Sequence, residues 1–256
     1  NVAVGHNALA SLNAGANGLN TAVGYFAGLN VSTGRFNTSL GSMSMGTGVT
    51  TGDNNTALGY FAGEDLTSGV ENTLVGGLSG RNITSAVNNT ALGYATLTNN
   101  VVGDNNTALG YRALEDFVAD TDGHGNNTAI GANAMLNATT GTENTAVGTN
   151  AIGLGVATGN NNVAVGIRAG EDLTSGHSNA LLGAFAGTNI TTGLQNVAIG
   201  YGALSTANTG ESKNVAVGFS ALNLMDNATD NFNTAVGYEA GLNTTTGIKN
   251  TLVGGS

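Results

Sequence analysis

Asn55–Gly63 reads NTALGYFAG, and closely similar strings begin at Asn20, Asn106, Asn127, Asn144, Asn196 and Asn233. With Asn55 as position 1, the 256-residue chain divides into fourteen complete repeats. They start at Asn1, Asn20, Asn37, Asn55, Asn72, Asn89, Asn106, Asn127, Asn144, Asn162, Asn179, Asn196, Asn214 and Asn233, and a fifteenth opens at Asn250. Most spacings are 17 residues, with a few of 18 or 19 and one of 21. A short, fixed period that tolerates small insertions is the signature of stacked coils. The repeat runs from end to end, so the expected organisation is one array over 1–256 with no second domain type, read as a segment of a longer fibre protein.

Recurrence inside the chain assigns each column a physical task. Position 1 is Asn and position 5 Gly in all fifteen starts, position 4 is always Val, Leu or Ile, and position 2 is Thr or Val in all but one. A β-branched and aliphatic run of this kind predicts a strand. Strand alternation separates positions 2, 4 and 6 from positions 3 and 5. The aliphatic column is expected to form an interior ridge, with Val23, Leu58 and Val75 in one row. Position 3 is Ala in eleven of fifteen starts and position 8 is always Ala, Ser or Thr. Such columns require a close neighbouring backbone, and the expectation is that position 3, as at Ala57, is a strip along which chains associate. Gly59 and its equivalents are expected to supply a backbone conformation or a close approach that a side chain would forbid. Asn55 and its equivalents are expected either to form an amide ladder between coils or to serve as αL-tolerant turn residues. Asn55, Leu58 and Gly59 thus stand for the structural repeat.

After position 9 the sequence loosens into segments such as LNVSTGRF and EDLTSGVE, read as a shorter second strand with turns. The longest insertion, Glu115 to Asn126, is expected to protrude as a loop. The fold class expected is therefore all-β, a repetitive parallel β-roll or β-solenoid of about 17 residues per coil and fourteen coils. The main architectural rival is the hexapeptide left-handed β-helix used by acyltransferases, which needs an aliphatic residue at every sixth position. Positions 10 and 16 instead hold Glu64 and Val70, Arg81 and Val87, then Thr98 and Asp104, so that pattern fails.

Composition narrows the function. The chain has 42 glycines, no proline, cysteine or tryptophan, 9% charged residues and a formal net charge of -10. An acidic chain without a basic face argues against a nucleic-acid partner. No apolar run approaches the roughly 18 residues needed to span a bilayer, so no membrane insertion is expected of this segment. His6, His124 and His177 fall at different repeat positions with no cysteine to assist, and no catalytic, cofactor or metal site can be assembled from the sequence. The chain is therefore read as non-enzymatic, with no cofactor. Acidic doublets at Glu64–Asp65, Glu115–Asp116 and Glu171–Asp172 recur just after position 9 and are read as solvated charges. The six tyrosines all stand at position 6, forming a stripe read chiefly as packing at a strand end with the hydroxyl in water, and secondarily as a surface for carbohydrate or a partner chain. Five Asn-x-Ser/Thr sequons recur at position 11 in the loose half, at Asn30, Asn82, Asn137, Asn189 and Asn243, and are candidate glycosylation sites.

N-[TV]-A-[VLI]-G followed by a small residue at position 8, as at NTAVG in Asn20–Gly24 and NVAVG in Asn162–Gly166, resembles the head repeat of YadA-type trimeric autotransporter adhesins. Similar repeats occur in phage tail-fibre-like proteins. The resemblance covers essentially the whole chain. It implies a left-handed roll, three chains side by side, and a surface fibre that binds host or matrix. The resulting expectation is an extracellular fibre segment, on a cell or virion surface, acting as rigid spacer and adhesive surface. It would self-associate as a homotrimer or filament and possess partners such as a host-surface glycan or matrix protein. The alternative is a purely structural filament coated with sugar. An acyltransferase, or an ice-binding protein using the position 2 threonines, is the less favoured reading. The loose half of each coil is expected to be the working surface, because insertions, sequons and acidic doublets gather there.

Overall fold

Each repeat folds into a single coil with one short strand, in a computed structural model that describes residues 1–13, 18–119, 124–206, 210–227 and 229–255. The chain divides into two compact units, Asn1–Asn127 and Thr128–Ser256. In the first, the strands are β1 (Val2–Val4), β2 (Thr21–Val23), β3 (Thr38–Leu40), β4 (Thr56–Leu58), β5 (Thr73–Val75), β6 (Thr90–Leu92) and β7 (Thr107–Leu109). They pair in sequence order, all parallel and in register, so that Thr56 faces Thr73, Ala57 faces Leu74 and Leu58 faces Val75. The second unit repeats the plan with β8 (Thr128–Ile130), β9 (Thr145–Val147), β10 (Val163–Val165), β11 (Ala180–Leu182), β12 (Val197–Ile199), β13 (Val215–Val217), β14 (Thr234–Val236) and β15 (Thr251–Val253). These strands too are parallel and in register. The fold is thus an all-β parallel solenoid of about 17 residues per turn.

The glycine column earns its conservation within the chain twice over. Gly59 has φ +140°, and a Cβ there would stand 2.4 Å from the carbonyl oxygen of Gly76 in the next coil. Both the backbone conformation and the space exclude a side chain. After that bend, the residues at positions 7 and 9 adopt the left-handed conformation in coil after coil, whether or not they are glycine: Phe61 at φ +58°, Leu97 at +49°, Leu114 at +51°. Inter-coil hydrogen bonds hold this costly geometry, as where the Phe61 N–H donates to the Ser42 carbonyl at 3.1 Å and the Leu97 N–H to that of Ala113 at 3.1 Å.

The interior is not where the aliphatic column suggested. Ala57, Ala91 and Ala146 at position 3 are fully buried, whereas Leu58 and Leu92 at position 4 are 39% and 46% exposed. Val23, Leu58 and Val75 do form a registered row, but it lies on the outer face. The physical reason is width: a coil of about 17 residues leaves an interior so narrow that in most coils the inward face of the strand admits only a small side chain. Position 3 is therefore the floor of the core and not a strip for chain association. The expected second strand is also corrected. Among the described residues the loose half contributes only isolated parallel bridges, Val31 to Thr50, Asp104 to Gly125 and Ser212 to Asp230. Of the Glu115–Asn126 insertion, Phe117 is fully buried and so plugs the interior, while 120–123 lie outside the described residues.

The remaining core volume is filled by an exchange between positions 3 and 9. Leu74 and Leu181 are the fully buried exceptions to Ala at position 3. Each is flanked by glycine at position 9 of its own and of the preceding coil. A Cβ on Gly63 or Gly80 would stand 2.9 and 2.6 Å from Leu74 methyls, and one on Gly170 or Gly187 would stand 2.8 Å from those of Leu181. Where position 9 is Leu, Met or Ile, as at Leu97, Met135 and Ile152, position 3 of the same coil is Ala, or Ser in the one case of Ser39 with Met45. One large side chain occupies the shared space, from one wall or the other.

The Asn column forms the expected ladder. Asn55 is fully buried; its backbone N–H and Nδ2 donate to the Asn37 Oδ1 at 2.8 and 3.1 Å, and Nδ2 also donates to the Gly69 carbonyl at 2.8 Å. Its own Oδ1 accepts from the N–H and Nδ2 of Asn72, both at 3.0 Å. The same pattern recurs in the second unit, for example at Asn179 on Asn162 and Asn196 on Asn179.

Candidate functional site: the outer strand face and a turn cleft

Because position 3 turns inward, positions 2 and 4 face out. In the first unit the outer face carries the consecutive threonines Thr21, Thr38, Thr56, Thr73, Thr90 and Thr107 beside Val23, Leu40, Leu58, Val75, Leu92 and Leu109. In the second it carries Val163, Val165, Leu182, Ile199 and Val236, each between 38% and 39% exposed. Parallel in-register pairing makes this a regular and largely uncharged surface. A contiguous apolar strip of this kind is characteristic of an interaction surface.

The aromatic stripe lies just past the glycine bend. All six tyrosines are about half exposed, between 51% and 57%. Where successive coils carry rings, the rings stack: Tyr94 on Tyr111 at 5.9 Å with planes 11° apart, Tyr201 on Phe219 at 5.4 Å and 8°, Phe219 on Tyr238 at 5.1 Å and 7°. Tyr238 has its phenol pKa raised, chiefly by a hydrogen bond to Glu239 and then by that carboxylate's charge.

The acidic doublets are not simply solvated charge. Glu64 and Glu171 are buried, and each carboxylate meets a guanidinium, Arg81 Nε at 2.6 Å and Arg168 Nε at 2.5 Å. Glu115 pairs with Arg112, whose own pKa is raised first of all by that hydrogen bond. The guanidiniums in turn cover aromatic faces, Arg81 over Phe61 at 4.9 Å and Arg168 over Phe185 at 5.4 Å. The sequence places these charges on the loose half, but recurrence alone could not reveal that the glutamates fold back against the coil.

The candidate glycosylation sites divide. Asn243 is exposed, while Asn30, Asn82, Asn137 and Asn189 are half-buried. Three of the amides reach the following coil: Asn30 Nδ2 donates to the Thr47 carbonyl at 3.0 Å, Asn82 to Asn99 Oδ1 at 3.1 Å and Asn137 to the Leu154 carbonyl at 3.0 Å. Asn189 differs, since its side chain makes no hydrogen bond among the described residues and instead lines a cleft.

That cleft is a concave feature of the turn region that sequence reasoning missed. It has a volume of about 230 Å³ and is bounded by Arg168, Phe185, Asn189, Tyr201, Gly202 and Asn223. Its origin is a single residue. Position 7 is left-handed in every described coil, and from Asn7 to Glu239 it bears a side chain everywhere except at Gly202, with φ +63°. A Cβ on Gly202 would meet Asn223 Nδ2 at 3.4 Å, Ser220 Oγ at 3.5 Å and Ser205 Oγ at 3.9 Å, so the missing side chain leaves a notch beside these three residues. A repeat alignment that had scored position 7 for outward projection would have found it.

Among the described residues no three His, Cys, Asp or Glu side chains gather as a metal site. No helix among them is long and apolar enough to cross a membrane. No family model matches the sequence, and neither does any curated protein.

Proposed function

We propose that this chain is an extracellular fibre segment, a rigid spacer that self-associates along its outer strand face and displays its turn half as an adhesive surface. The observation that carries the reading is the outward row of Val, Leu and Ile at position 4, registered and exposed. A second copy is the occupant best suited to it: an uncharged periodic surface is complemented by another with the same period, and closed symmetric association hides such a surface on every chain at once. The resemblance of NTAVG and NVAVG to YadA-type head repeats points the same way and makes three chains the expected number. On this reading the contact runs along positions 2 and 4, not along position 3. Charge substitution tests it: Leu58→Lys together with Leu92→Lys puts cations on the outer face of β4 and β6 without touching the core. The pair should abolish association while leaving the far-ultraviolet circular dichroism spectrum unchanged; association that survives both substitutions overturns the assignment of the face.

One observation favours a second reading. Six successive outward threonines at strand spacing are also a regular template for ordered water, so a segment that stays monomeric and arrests ice growth would assign the same face to ice binding. A sugar-coated structural filament would be marked by glycan on Asn30, Asn82, Asn137, Asn189 or Asn243 and by the absence of any receptor affinity.

A further inference from the structure

The Gly202 cleft has the composition of a small-ligand site. Two aromatic rings meet edge to face at its wall, Phe185 and Tyr201, with centroids 5.4 Å apart and planes 65° apart, so they form a corner instead of a continuous stack. Tyr201 is 53% exposed, and its other neighbour, Phe219, holds it flat from behind by parallel stacking. Arg168 lies over Phe185, and with Nε engaged by Glu171 its terminal nitrogens remain as donors. The Asn189 amide has no partner among the described residues. On the far wall Asn223 is held rigid, its Nδ2 donating to the Gly202 carbonyl and to Ser205 Oγ, both at 2.8 Å. The Thr188 hydroxyl anchors the near wall by donating to the Phe185 carbonyl at 2.9 Å.

Size and charge then choose the ligand. At about 230 Å³ the cleft is smaller than the roughly 300 to 1,000 Å³ of sites for drug-sized molecules, and suits a single ring. Arg168 is already neutralised by a buried carboxylate on a chain of net charge -10, so an anionic ligand gains little there. A ring with an apolar C–H face and several equatorial hydroxyls satisfies both the aromatic corner and the rim of amide and guanidinium donors. We infer that the Gly202 cleft binds one neutral hexopyranose residue, stacked on Tyr201 or Phe185 and hydrogen-bonded by Asn189 and Arg168. This gives a ligand class to the adhesive surface and rests on that reading for its biological meaning. Its position past the Gly200 bend keeps it off the strand face assigned to self-association.

The test uses the whole 256-residue chain and four probes, the methyl glycosides of glucose, galactose, mannose and N-acetylglucosamine, read by saturation-transfer NMR and titration. At least one should bind. Gly202→Asn fills the notch with the residue that already occupies position 7 at Asn7, Asn133 and Asn150 with φ of +55° to +56°, so the coil should fold normally. That variant, and separately Tyr201→Ala, should weaken binding at least about tenfold, while Tyr94→Ala, in the other unit, should not. Binding of none of the four glycosides, or binding unchanged in Gly202→Asn, overturns the inference. Molar mass is measured on the same samples: a Gly202→Asn protein that loses sugar but keeps its association separates failure of the site from failure of the fibre reading.

Discussion

The exchange of volume between positions 3 and 9 makes a quantitative prediction. Leu74 is fully buried and its two methyls project between Gly63 and Gly80, within 2.9 and 2.6 Å of where their Cβ atoms would be. Leu74→Ala removes a buried isobutyl group from a narrow interior whose walls are hydrogen-bonded backbone and cannot close in, so the cost should lie near the upper part of the roughly 2 to 5 kcal/mol range for such truncations. Gly80→Leu alone drives a side chain into Leu74 and Ile83, 2.9 Å from its Cβ, and should cost about 1 to 3 kcal/mol through overpacking. The backbone itself is not the obstacle: Gly80 has φ +56°, and Leu97 and Leu114 sit at the same repeat position with φ +49° and +51°. The double variant recreates the arrangement of the next coil, Ala91 with Leu97, and should be more stable than the sum of the single losses by more than about 1 kcal/mol. Urea unfolding of the four proteins, followed by circular dichroism, measures the coupling. Strictly additive losses would show that the two positions do not share one space and that the packing argument is wrong.

Gly59→Val should be among the most damaging single changes, since it places a Cβ 2.4 Å from the Gly76 carbonyl at φ +140°; a thermal midpoint within about 2 °C of wild type would contradict the backbone role of that column. Asn55→Asp keeps the acceptor but removes the Nδ2 donated to Asn37 and Gly69 and puts a charge in a fully buried ladder, so a loss of about 3 kcal/mol or more is expected in denaturant titration at pH 7. An unchanged midpoint there would reduce the ladder to a turn preference.

Much of this fold is legible in the sequence because each coil repeats the same demands. The period gives the register, the Gly column announces a backbone constraint, and the Asn column names residues that touch their own equivalents. What recurrence cannot state is direction. Leu58 is more apolar than Ala57, and a reading by hydrophobicity sends Leu58 inward; the coil is so narrow that volume overrides it, and Ala57 takes the interior while Leu58 faces out. The same limitation hid Glu64 and Glu171, whose partners Arg81 and Arg168 stand at different repeat positions, 10 and 7. The cleft was hidden because it depends on one departure from a column, Gly202, and not on the column itself. The covariation of Leu74 with Gly63 and Gly80 was present in the sequence and readable by volume.

The central claim is that the outward face of positions 2 and 4 is covered by further copies of the same chain, and the molar mass of the purified segment tests it most directly. Multi-angle light scattering on a size-exclusion column should give a stable multiple of 25.2 kDa, with three the number expected from the resemblance to adhesin head repeats. A single species at 25.2 kDa across the accessible concentration range would contradict the account.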